Sequence, residues 1–334
     1  MKAIIYTSPS GAALAELPVP AISDTEALIA VDACGLCGTD LMKLAAKPAH
    51  AILGHEIAGR VSKLGRSVKG FKEGDRVVLA HHVPCLRCHY CKRGSFSMCR
   101  QFKATNVDPG GFADLVKASE LHVQHAMFKI ENGLDAIKAS QTEPLSCCLR
   151  NVKRLKAEEG DTIGIIGLGA VGLMTAQLLK LKNCAVLGLD IDAARAKNLS
   201  AYGQGFTDAA EFEQTLRDKT QGRGLDVLIF TAGPSSMVSE RAGWLRDGGT
   251  LNIFASFHPS GVMVDLNAVY HRELTIMSSY SPAPEDLTES LELIGSGKFS
   301  VDALKPKTFA LQEFDAAVSE IRARTTMKAV MVPK

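Results

Sequence analysis

The stretch that decides the fold runs Thr162-Ile-Gly-Ile-Ile-Gly-Leu-Gly-Ala-Val-Gly172. Its apolar first half predicts a buried β-strand, and the residues after it have the apolar spacing of a helix. Between them, one glycine permits a tight turn, the second lets the backbone approach a pyrophosphate, and the third lets helix and strand pack closely. The phosphates then lie at the helix N-terminus, where free N–H groups favour negative charge. The predicted cofactor-binding residues of this turn are Gly167, Gly169, Ala170, Val171 and Gly172.

A second apolar run ends in Asp190, at about the ~20-residue distance expected for the acid that binds the ribose hydroxyls of a dinucleotide. Asp190 would repel a 2′-phosphate, so the predicted cofactor is NAD in preference to NADP. Arg195 could flank the adenosine ribose, or it could be an ordinary exposed arginine of a helix. A glycine turn in another kind of α/β protein is the alternative, but strand, turn, helix and acid occur here in the expected order.

Apolar strand-like runs alternate with helical stretches between about residues 161 and 280: TIGIIG, AVLGLD, DVLIFTAG, TLNIFASF and LTIMSSY. This alternation indicates a parallel sheet covered on both faces. The preceding residues form short strands broken by Gly and Pro, which predicts a β-rich domain. The residues after 281 most simply return to that domain. We predict an α/β fold, with a β-rich domain of residues 1–145 and 281–334 and a Rossmann doubly wound domain of residues 146–280.

Composition excludes several classes of partner. Lys plus Arg number 38 against 36 Asp plus Glu, so charge gives no reason to expect nucleic acid or an anionic membrane. No apolar run approaches the roughly 20 residues that a bilayer crossing needs, and the N-terminus reads as a β-strand and not as a signal peptide. Nine cysteines, an odd number, fit thiolates on metal in the reducing cytoplasm better than a secreted disulfide scaffold. We expect a cytoplasmic protein that acts on a small molecule.

A C-x2-C-x2-C-x7-C run consists of Cys85, Cys88, Cys91 and Cys99. Four thiolates so close in sequence can surround one ion tetrahedrally, and such a shell leaves no open coordination position. Disulfides or free thiols are the alternative, and iron also suits tetrahedral sulfur. The run predicts a structural zinc site that takes no part in the chemistry. The neighbouring His81, His82 and His89 are expected at the surface or behind the ligands.

Two further segments carry metal-binding side chains, Cys37-Gly-Thr39-Asp40 and Gly54-His55-Glu56. A thiolate, an imidazole and a carboxylate suit catalytic zinc, which takes three protein ligands and keeps a fourth position for water or substrate. Each residue alone would be ordinary, since a lone buried cysteine is usually a small apolar residue. Together they predict a catalytic zinc site in the β-rich domain.

These motifs resemble the zinc-containing medium-chain dehydrogenase family, especially its sorbitol and threonine dehydrogenase-like branch. The resemblance covers the whole chain, with the motifs in their expected order. The segment Glu143-Pro-Leu-Ser146 resembles the polyol branch, in which a glutamate replaces the last cysteine ligand of liver-type alcohol dehydrogenases. The resemblance implies a GroES-like catalytic domain, a Rossmann domain, zinc, NAD, an alcohol or ketone as substrate, and a homodimer or homotetramer.

Carried over residue by residue, the resemblance makes Cys37, His55, Glu56 and Glu143 the ligands of the catalytic zinc. Because His55 and Glu56 are adjacent, their side chains would point to opposite faces of an extended segment, and one of them needs a local twist. Zinc with one thiolate, one neutral imidazole and one carboxylate is neutral, so we expect one glutamate to bind directly and the other through water or transiently. Glu143 also has a structural interpretation, as an acid at a helix start before proline.

The resemblance further implies that a secondary alcohol activated by zinc gives its hydride to NAD and becomes a ketone. Thr39 would accept the alcohol proton first, although its hydroxyl could instead cap the helix that begins near Asp40. Many relatives carry a histidine five residues after the ligand cysteine to pass the proton on, but here that position is Met42. A glutamate ligand makes the zinc site more hydrophilic, which predicts a polyol, cyclitol or related sugar-derived alcohol as substrate.

Three alternative functions remain. The protein could be threonine dehydrogenase-like, an NADP-linked ketone or aldehyde reductase, or a non-catalytic dinucleotide-binding zinc protein. Asp190 disfavours the NADP-linked reductase. The presence of a second set of potential zinc ligands argues against a non-catalytic protein, since a structural role needs only the four-cysteine site.

Overall fold

The computed structural model describes residues 1–7, 11–46, 52–131, 133–257 and 261–333. Its strands are β1 (Lys2–Thr7), β2 (Gly11–Glu16), β3 (Ala27–Gly35), β4 (Glu56–Leu64), β5 (Arg76–Leu79), β6 (Leu115–Ala118), β7 (Met127–Lys129), β8 (Thr162–Ile166), β9 (Ala185–Leu189), β10 (Gln204–Phe206), β11 (Leu225–Phe230), β12 (Leu245–Ile253), β13 (Thr275–Ser278), β14 (Pro306–Phe309) and β15 (Lys328–Met331).

Its α-helices are α1 (Gly38–Ala46), α2 (His89–Lys92), α3 (Arg100–Ala104), α4 (Glu120–His125), α5 (Ala136–Ser140), α6 (Thr142–Leu155), α7 (Ala170–Leu181), α8 (Ala193–Asn198), α9 (Ala209–Thr220), α10 (Ser236–Arg241), α11 (Leu266–His271), α12 (Pro284–Gly295) and α13 (Phe314–Arg322). Among the residues described, no helix is both long and apolar enough to span a membrane.

The chain divides into two compact units. The first consists of Met1–Ser146 and Pro282–Lys334, and the second of Cys147–Ser281. The sequence predicts divisions after residues 145 and 280, each one residue before the corresponding division in the structure.

The first unit is built on a sheet with the strand order β14-β15-β3-β4-β5-β7, in which β6 also pairs with β3. Strand β3 is buried along most of its length, which explains its nearly continuous apolar sequence ALIAVDACG. β15 runs antiparallel to β3 with Val330 opposite Gly35, so the C-terminal residues complete the same sheet. The end of β3 and the starts of β4 and β15 therefore come together, with Gly35 opposite Glu56 on the neighbouring strand.

The second unit is a six-stranded parallel sheet with the order β10-β9-β8-β11-β12-β13. Numbered within the unit, this is the doubly wound 3-2-1-4-5-6 order of dinucleotide-binding folds, with the turn after β8 at the point where the strand order reverses. Ile163, Ile165 and Phe230 are fully buried, and each such side chain contributes roughly 1.5–3 kcal/mol through its burial. The predicted α/β fold is confirmed. The sequence had indicated five of these strands and missed β10, whose three residues include only one large apolar side chain.

Candidate functional site

Asp40 joins the two segments that carry the predicted zinc ligands. Its Oδ2 accepts a hydrogen bond of 3.1 Å from the backbone N–H of Cys37, which immediately precedes α1. Its Oδ1 accepts one of 3.1 Å from the N–H of Gly54, in the segment before β4. Because Asp40 is fully buried, water does not compete for these bonds. One side chain therefore sets the spacing between the cysteine segment and the histidine segment.

Gly54 lets the chain turn into β4. Its φ is +78°, and a Cβ atom there would lie 2.6 Å from the backbone N of Phe112, so glycine is required both by conformation and by space. The turn leaves His55 just before the strand and Glu56 at its first position. A turn at this position is the kind of local twist that the prediction of two adjacent ligands requires.

The ligand atoms of Cys37, His55 and Glu56 all lie within 4.8 Å of one another. His55 and Glu56 are buried, and Oε1 of Glu56 has no hydrogen-bond partner among the described residues. A buried acceptor without a partner costs about 1–3 kcal/mol, and a carboxylate costs more. A thiolate, an imidazole and a carboxylate around one point, with an oxygen left over, fit a zinc ion that keeps an open position.

Thr39 points its hydroxyl at this group. Oγ1 donates to Sγ of Cys37 at 3.0 Å and lies 3.4 Å from Nε2 of His55. Because α1 begins at Gly38, Thr39 lies in the first helical turn and not at the N-cap. The capping interpretation is therefore wrong, and the hydroxyl instead contacts Cys37 and His55 at the candidate metal position.

Charge in this region is dominated by acids. Oδ1 of Asp40 lies 3.5 Å from Nδ1 of His55. Burial alone would lower the pKa of His55, but the charges of Asp40 and Cys37 outweigh it and hold that pKa well above its ordinary value. The negative charges that favour the cationic form of His55 would also favour a metal cation bound to its Nε2. A carboxylate behind the other ring nitrogen is the usual arrangement for a zinc-bound histidine.

Sequence reasoning missed Lys328. Its ammonium forms an ion pair with Oε2 of Glu56, and the two side chains are 5% and 0% exposed. Burial by itself lowers the pKa of Lys328, yet Glu56 and Cys37 raise it above the ordinary value, so the lysine is charged. The only signal in the sequence is a lysine at the start of a strand whose other residues are apolar.

Glu143 lies outside the group of three. It occupies the first turn of α6, and its charge contributes to the raised pKa of Lys328. Together with His81 it lines a cavity of about 10 Å³, which is close to the space that one water molecule needs. The structure thus brings together three of the four predicted ligands, and Glu143 stays a prediction.

His81 packs behind a predicted ligand. The centroid of its ring lies 4.7 Å from that of His55, and its Nδ1 is buried without a hydrogen-bond partner in the described part of the chain. His81 therefore packs behind a candidate ligand of the other metal site, and the positions expected for the histidines around the cysteine loop stay a prediction. His82 follows it, with Nδ1 donating to the carbonyl oxygen of Thr105 at 2.6 Å.

The four cysteines of the predicted structural site converge, with all ligand atoms within 4.8 Å of one another: Cys85, Cys88, Cys91 and Cys99. Sγ of Cys91 lies 3.6 Å from Sγ of Cys88 and 4.0 Å from that of Cys85. Sulfurs in a tetrahedral shell with metal–sulfur bonds of about 2.3 Å are about 3.8 Å apart. All four are free thiols, so the disulfide alternative is not supported.

These sulfurs also need a cation. Burial and the neighbouring Cys88 thiol raise the pKa of Cys91 to about 12. Burial also acts to raise that of Cys99, but backbone N–H groups of Cys85 and Phe102 outweigh it and lower the pKa to about 6. Without a metal the four thiols therefore cannot all ionise near neutral pH. A zinc ion would supply the missing positive charge.

In the second unit, the predicted glycine turn has the shape that a pyrophosphate requires. Gly167 has φ +92°, and a Cβ atom there would lie 2.7 Å from that of Ala232. A Cβ on Gly172 would lie 2.0 Å from the carbonyl oxygen of Gly167. A Cβ on Gly169, at the N-cap of α7, would meet nothing closer than Nη1 of Arg195 at 3.6 Å. Two of the glycines are thus needed for packing, and the middle one leaves space for a ligand, beside the first helical residues Ala170 and Val171.

Asp190 lies next to this turn. Its Oδ2 accepts a hydrogen bond of 2.6 Å from the N–H of Leu168, and its Oδ1 one of 2.9 Å from the N–H of Asp192. Each oxygen keeps a further lone pair for a ribose hydroxyl. Arg195, whose guanidinium reaches Gly169, is therefore placed at the turn and not on a remote face of its helix.

Comparisons with known proteins agree with this architecture. Residues 23–127 match the family described as alcohol dehydrogenase GroES-like domain, and residues 170–296 match the one described as zinc-binding dehydrogenase. The chain is 30% identical to a sorbitol dehydrogenase of Bacillus subtilis (strain 168), covering 99% of this chain and 97% of that protein. It is 31% identical to an erythritol/L-threitol dehydrogenase of Mycolicibacterium smegmatis, covering 100% and 98%.

A solved structure of a zinc-binding dehydrogenase from Sinorhizobium meliloti 1021, bound to NADP, is similar over 99% of both chains, with a TM-score of 0.88 and 26% identity. The GroES-like unit, with its two groups of side chains that could hold a metal ion, and the Rossmann unit define a zinc-dependent alcohol dehydrogenase fold. The chain belongs to the zinc-dependent medium-chain dehydrogenase family, and the resemblance seen in the sequence is confirmed. It is an oxidoreductase of the branch that includes polyol dehydrogenases.

Proposed function

We propose that the protein oxidises a secondary alcohol of a polyol, a cyclitol or a related sugar-derived alcohol to the ketone, with NAD as hydride acceptor and one catalytic and one structural zinc per chain. The observation that carries this proposal is the convergence of Cys37, His55 and Glu56 with a Thr39 hydroxyl at hydrogen-bonding distance. The nine cysteines are all free thiols, which is consistent with a protein of the reducing cytoplasm. A homodimer or homotetramer is the assembly we expect for it.

Zinc bound at this site would lower the pKa of the substrate hydroxyl, and NAD would take the hydride from the carbon that carries this hydroxyl. The chain's own residues hold and orient these groups. Cys37, His55 and Glu56 bind the metal, and Asp40 fixes the imidazole from behind. The Thr39 hydroxyl, which lies 3.0 Å from Sγ of Cys37 and 3.4 Å from Nε2 of His55, would accept the substrate proton while it passes its own proton on to water.

The relatives named above support the substrate class, since their names refer to sorbitol, erythritol and threitol. Each of these is a polyol with a hydroxyl next to the carbon that would be oxidised. Buried polar side chains near the metal position, such as Glu143, suit that second hydroxyl. A site that binds adjacent hydroxyls discriminates strongly against simple alcohols, because its polar groups would then lose their partners.

NADP is the second candidate cofactor, and two observations favour it. The similar Sinorhizobium structure contains NADP, and the Arg195 guanidinium beside Gly169 could bind a 2′-phosphate. Against it stands the buried carboxylate of Asp190 at the same turn. We favour NAD because a 2′-phosphate next to an unneutralised carboxylate is repelled.

A spectrophotometric screen tests the proposal. Sugar alcohols, cyclitols, threonine and unsubstituted alcohols are offered to the zinc-loaded protein, each with NAD and with NADP, and reduced cofactor is measured. The expected result is the highest kcat/KM with a polyol or cyclitol and NAD. A higher kcat/KM for ethanol than for every polyol and cyclitol would refute the substrate class, and preference for threonine would move the protein to the threonine branch.

A further inference from the structure

We propose that Thr231 is a positioning residue of the dinucleotide site. Together with Asp190 it fixes the peptide group between Gly167 and Leu168, and so keeps the glycine turn in its binding shape before a cofactor arrives. The inference rests on the part of the proposed function that gives the chain a dinucleotide cofactor, and it is the same for NAD and NADP. Thr231 acts through the turn and needs no contact of its own with the cofactor.

Thr231 lies at the end of a strand that neighbours β8. It follows Phe230, the last residue of β11, which is opposite Ile166, the last residue of β8. The backbone N–H of Thr231 donates to the carbonyl oxygen of Ile166 at 2.9 Å, so the pairing of the two strands continues for one more residue. Its side chain therefore lies beside Gly167, where the turn begins.

The Thr231 hydroxyl binds the turn directly. Its Oγ1 donates to the carbonyl oxygen of Gly167 at 2.7 Å and lies 3.1 Å from that of Ile166. A hydroxyl has one proton, and the Ile166 oxygen already accepts from the backbone N–H of Thr231. The shorter contact, to Gly167, is therefore the one that the hydroxyl proton makes.

The peptide group between Gly167 and Leu168 is held at both ends. Its carbonyl oxygen accepts from Thr231 at 2.7 Å, and its N–H donates to Oδ2 of Asp190 at 2.6 Å. The two side chains follow β11 and β9, the strands on either side of β8. Because a peptide group is planar, it cannot turn over without breaking both bonds.

The glycine at this position makes such a restraint useful. Gly167 has φ +92°, but glycine also has access to many other conformations and loses more freedom on ordering than any other residue. A turn that became ordered only on binding would lose part of the binding free energy to that ordering. A turn that is already fixed offers the free N–H groups at the start of α7 to a phosphate without this loss.

The hydroxyl also occupies the space behind the turn. A Cβ atom on Gly172 would lie 2.0 Å from the carbonyl oxygen of Gly167 and 3.3 Å from Oγ1 of Thr231. The Gly167 carbonyl is thus enclosed between the first turn of α7 and Thr231. Removing the hydroxyl while keeping the shape of the side chain should leave this oxygen without its donor.

The experiment compares Thr231→Val, which keeps the shape without the hydroxyl, and Thr231→Ser, which keeps the hydroxyl, with the wild type. Thr220→Val is the matched control, because Thr220 lies in the same unit and its hydroxyl also donates to a carbonyl oxygen, that of Leu216 at 2.7 Å. Fluorescence titration gives the dissociation constants for NADH and NADPH, and displacement of the bound cofactor gives those for ADP-ribose and adenosine. Hydrogen–deuterium exchange of residues 167–172 is followed in the cofactor-free proteins.

Thr231→Val should bind dinucleotide and ADP-ribose about three- to tenfold more weakly than the wild type, the loss expected for one hydrogen bond. Adenosine has no phosphate, so its affinity should not change. In the cofactor-free Thr231→Val protein, residues 167–172 should exchange faster. Thr231→Ser and Thr220→Val should behave like the wild type in each measurement.

Unchanged binding of ADP-ribose by Thr231→Val would overturn the proposal. An equal loss for adenosine and ADP-ribose would also overturn it, because Thr231 would then support the whole unit and not the turn. The same holds if Thr231→Ser binds as weakly as Thr231→Val, since the hydroxyl would not be the cause. If Thr231→Val does not fold, Thr231→Ala is held to the same expectations, and failure of both to fold would overturn the proposal, because the hydroxyl would then be needed for folding itself.

The same samples separate this proposal from the proposed function. If the wild type binds neither NADH nor NADPH, the proposed function fails whatever the threonine variants do. If the wild type binds a dinucleotide and oxidises a polyol while Thr231→Val binds ADP-ribose equally well, only the role of Thr231 fails.

Discussion

Oδ1 of Asp40 lies 3.5 Å from Nδ1 of His55, and the same carboxylate binds the backbone N–H groups of Cys37 and Gly54. One buried side chain thus lies beside the imidazole, within ion-pair distance, and sets the distance between the two segments that carry the candidate zinc ligands. The geometry of the metal site depends on a residue that is not itself a ligand.

The first prediction concerns this residue. Asp40→Asn should lower zinc affinity at the catalytic site about 10–100-fold, because the amide removes the negative charge behind His55 and replaces one acceptor oxygen with a donor. Competition with a chelator measures the affinity, and kcat/KM should fall with it. Asp32→Asn is the control, since Asp32 pairs with Arg60 at the surface. If both variants bind zinc like the wild type, Asp40 has no part in the site.

The second prediction concerns the cysteine loop. Cys88→Ser should lose one zinc ion and fold less stably, because a structural zinc contributes its binding free energy to folding. Metal analysis and the unfolding midpoint measure the two effects. Cys184→Ser is the control, as this buried thiol donates to the carbonyl oxygen of Glu158 at 3.3 Å and lies in the second unit. The Cys184→Ser protein should retain both zinc ions. A Cys88→Ser protein with two zinc ions would contradict the assignment.

The third prediction concerns the cofactor. Asp190→Ala should lower kcat/KM with NAD and narrow the preference for NAD over NADP, because the carboxylate both accepts from the ribose and repels a 2′-phosphate. Asp190 also holds the Leu168 N–H, so part of the loss will come from the turn itself. Asp208→Ala is the control: it removes a helix-capping carboxylate from the same unit and should leave the cofactor ratio unchanged. A wild type that prefers NADP would refute the prediction directly.

The fourth prediction concerns pH. Burial lowers the pKa of His82 to about 4, although its hydrogen bond to Thr105 opposes the shift. An unfolded histidine has a pKa of about 6.5, so below that pH the unfolded chain takes up a proton that the folded chain does not. The contribution of neutral His82 to the free energy of unfolding is therefore fully present above pH ~6.5 and is lost as the pH falls toward ~4.

Urea unfolding at a series of pH values tests this. The free energy of unfolding of His82→Gln should fall less steeply than that of the wild type within this window. His271→Gln, which changes an exposed histidine in the second unit, should follow the wild type. Parallel curves for all three proteins would show that His82 does not carry the effect.

The fold could be predicted where the sequence signal is local. The segment from Thr162 to Leu181 predicts the dinucleotide-binding unit, since its strand, glycine turn and helix follow one another directly. The turn and the packing each require glycine at a fixed position. The four-cysteine site was equally visible, since its ligands lie within fifteen residues, from Cys85 to Cys99. The short strand β10 was not visible, because three residues carry too little periodicity.

Residues brought together by the sheet could not be predicted. Lys328 and Glu56 are separated by most of the chain, and only the pairing of β15 and β4 with β3 makes them neighbours. Asp40 belongs to the Cys37-Gly-Thr39-Asp40 motif, but its contacts with Gly54 and His55 depend on where the chain turns at Gly54. Glu143 was predicted as a ligand, yet its position is set by the start of α6, which the motif alone does not fix.

Zinc content measured together with dehydrogenase activity, in the wild type and in Cys37→Ser, tests the central claim most directly. The wild type should contain about two zinc ions per chain and oxidise a polyol with NAD, and Cys37→Ser should contain about one, remain folded and be inactive. A Cys37→Ser protein that keeps both metals and full activity would contradict the catalytic site described here.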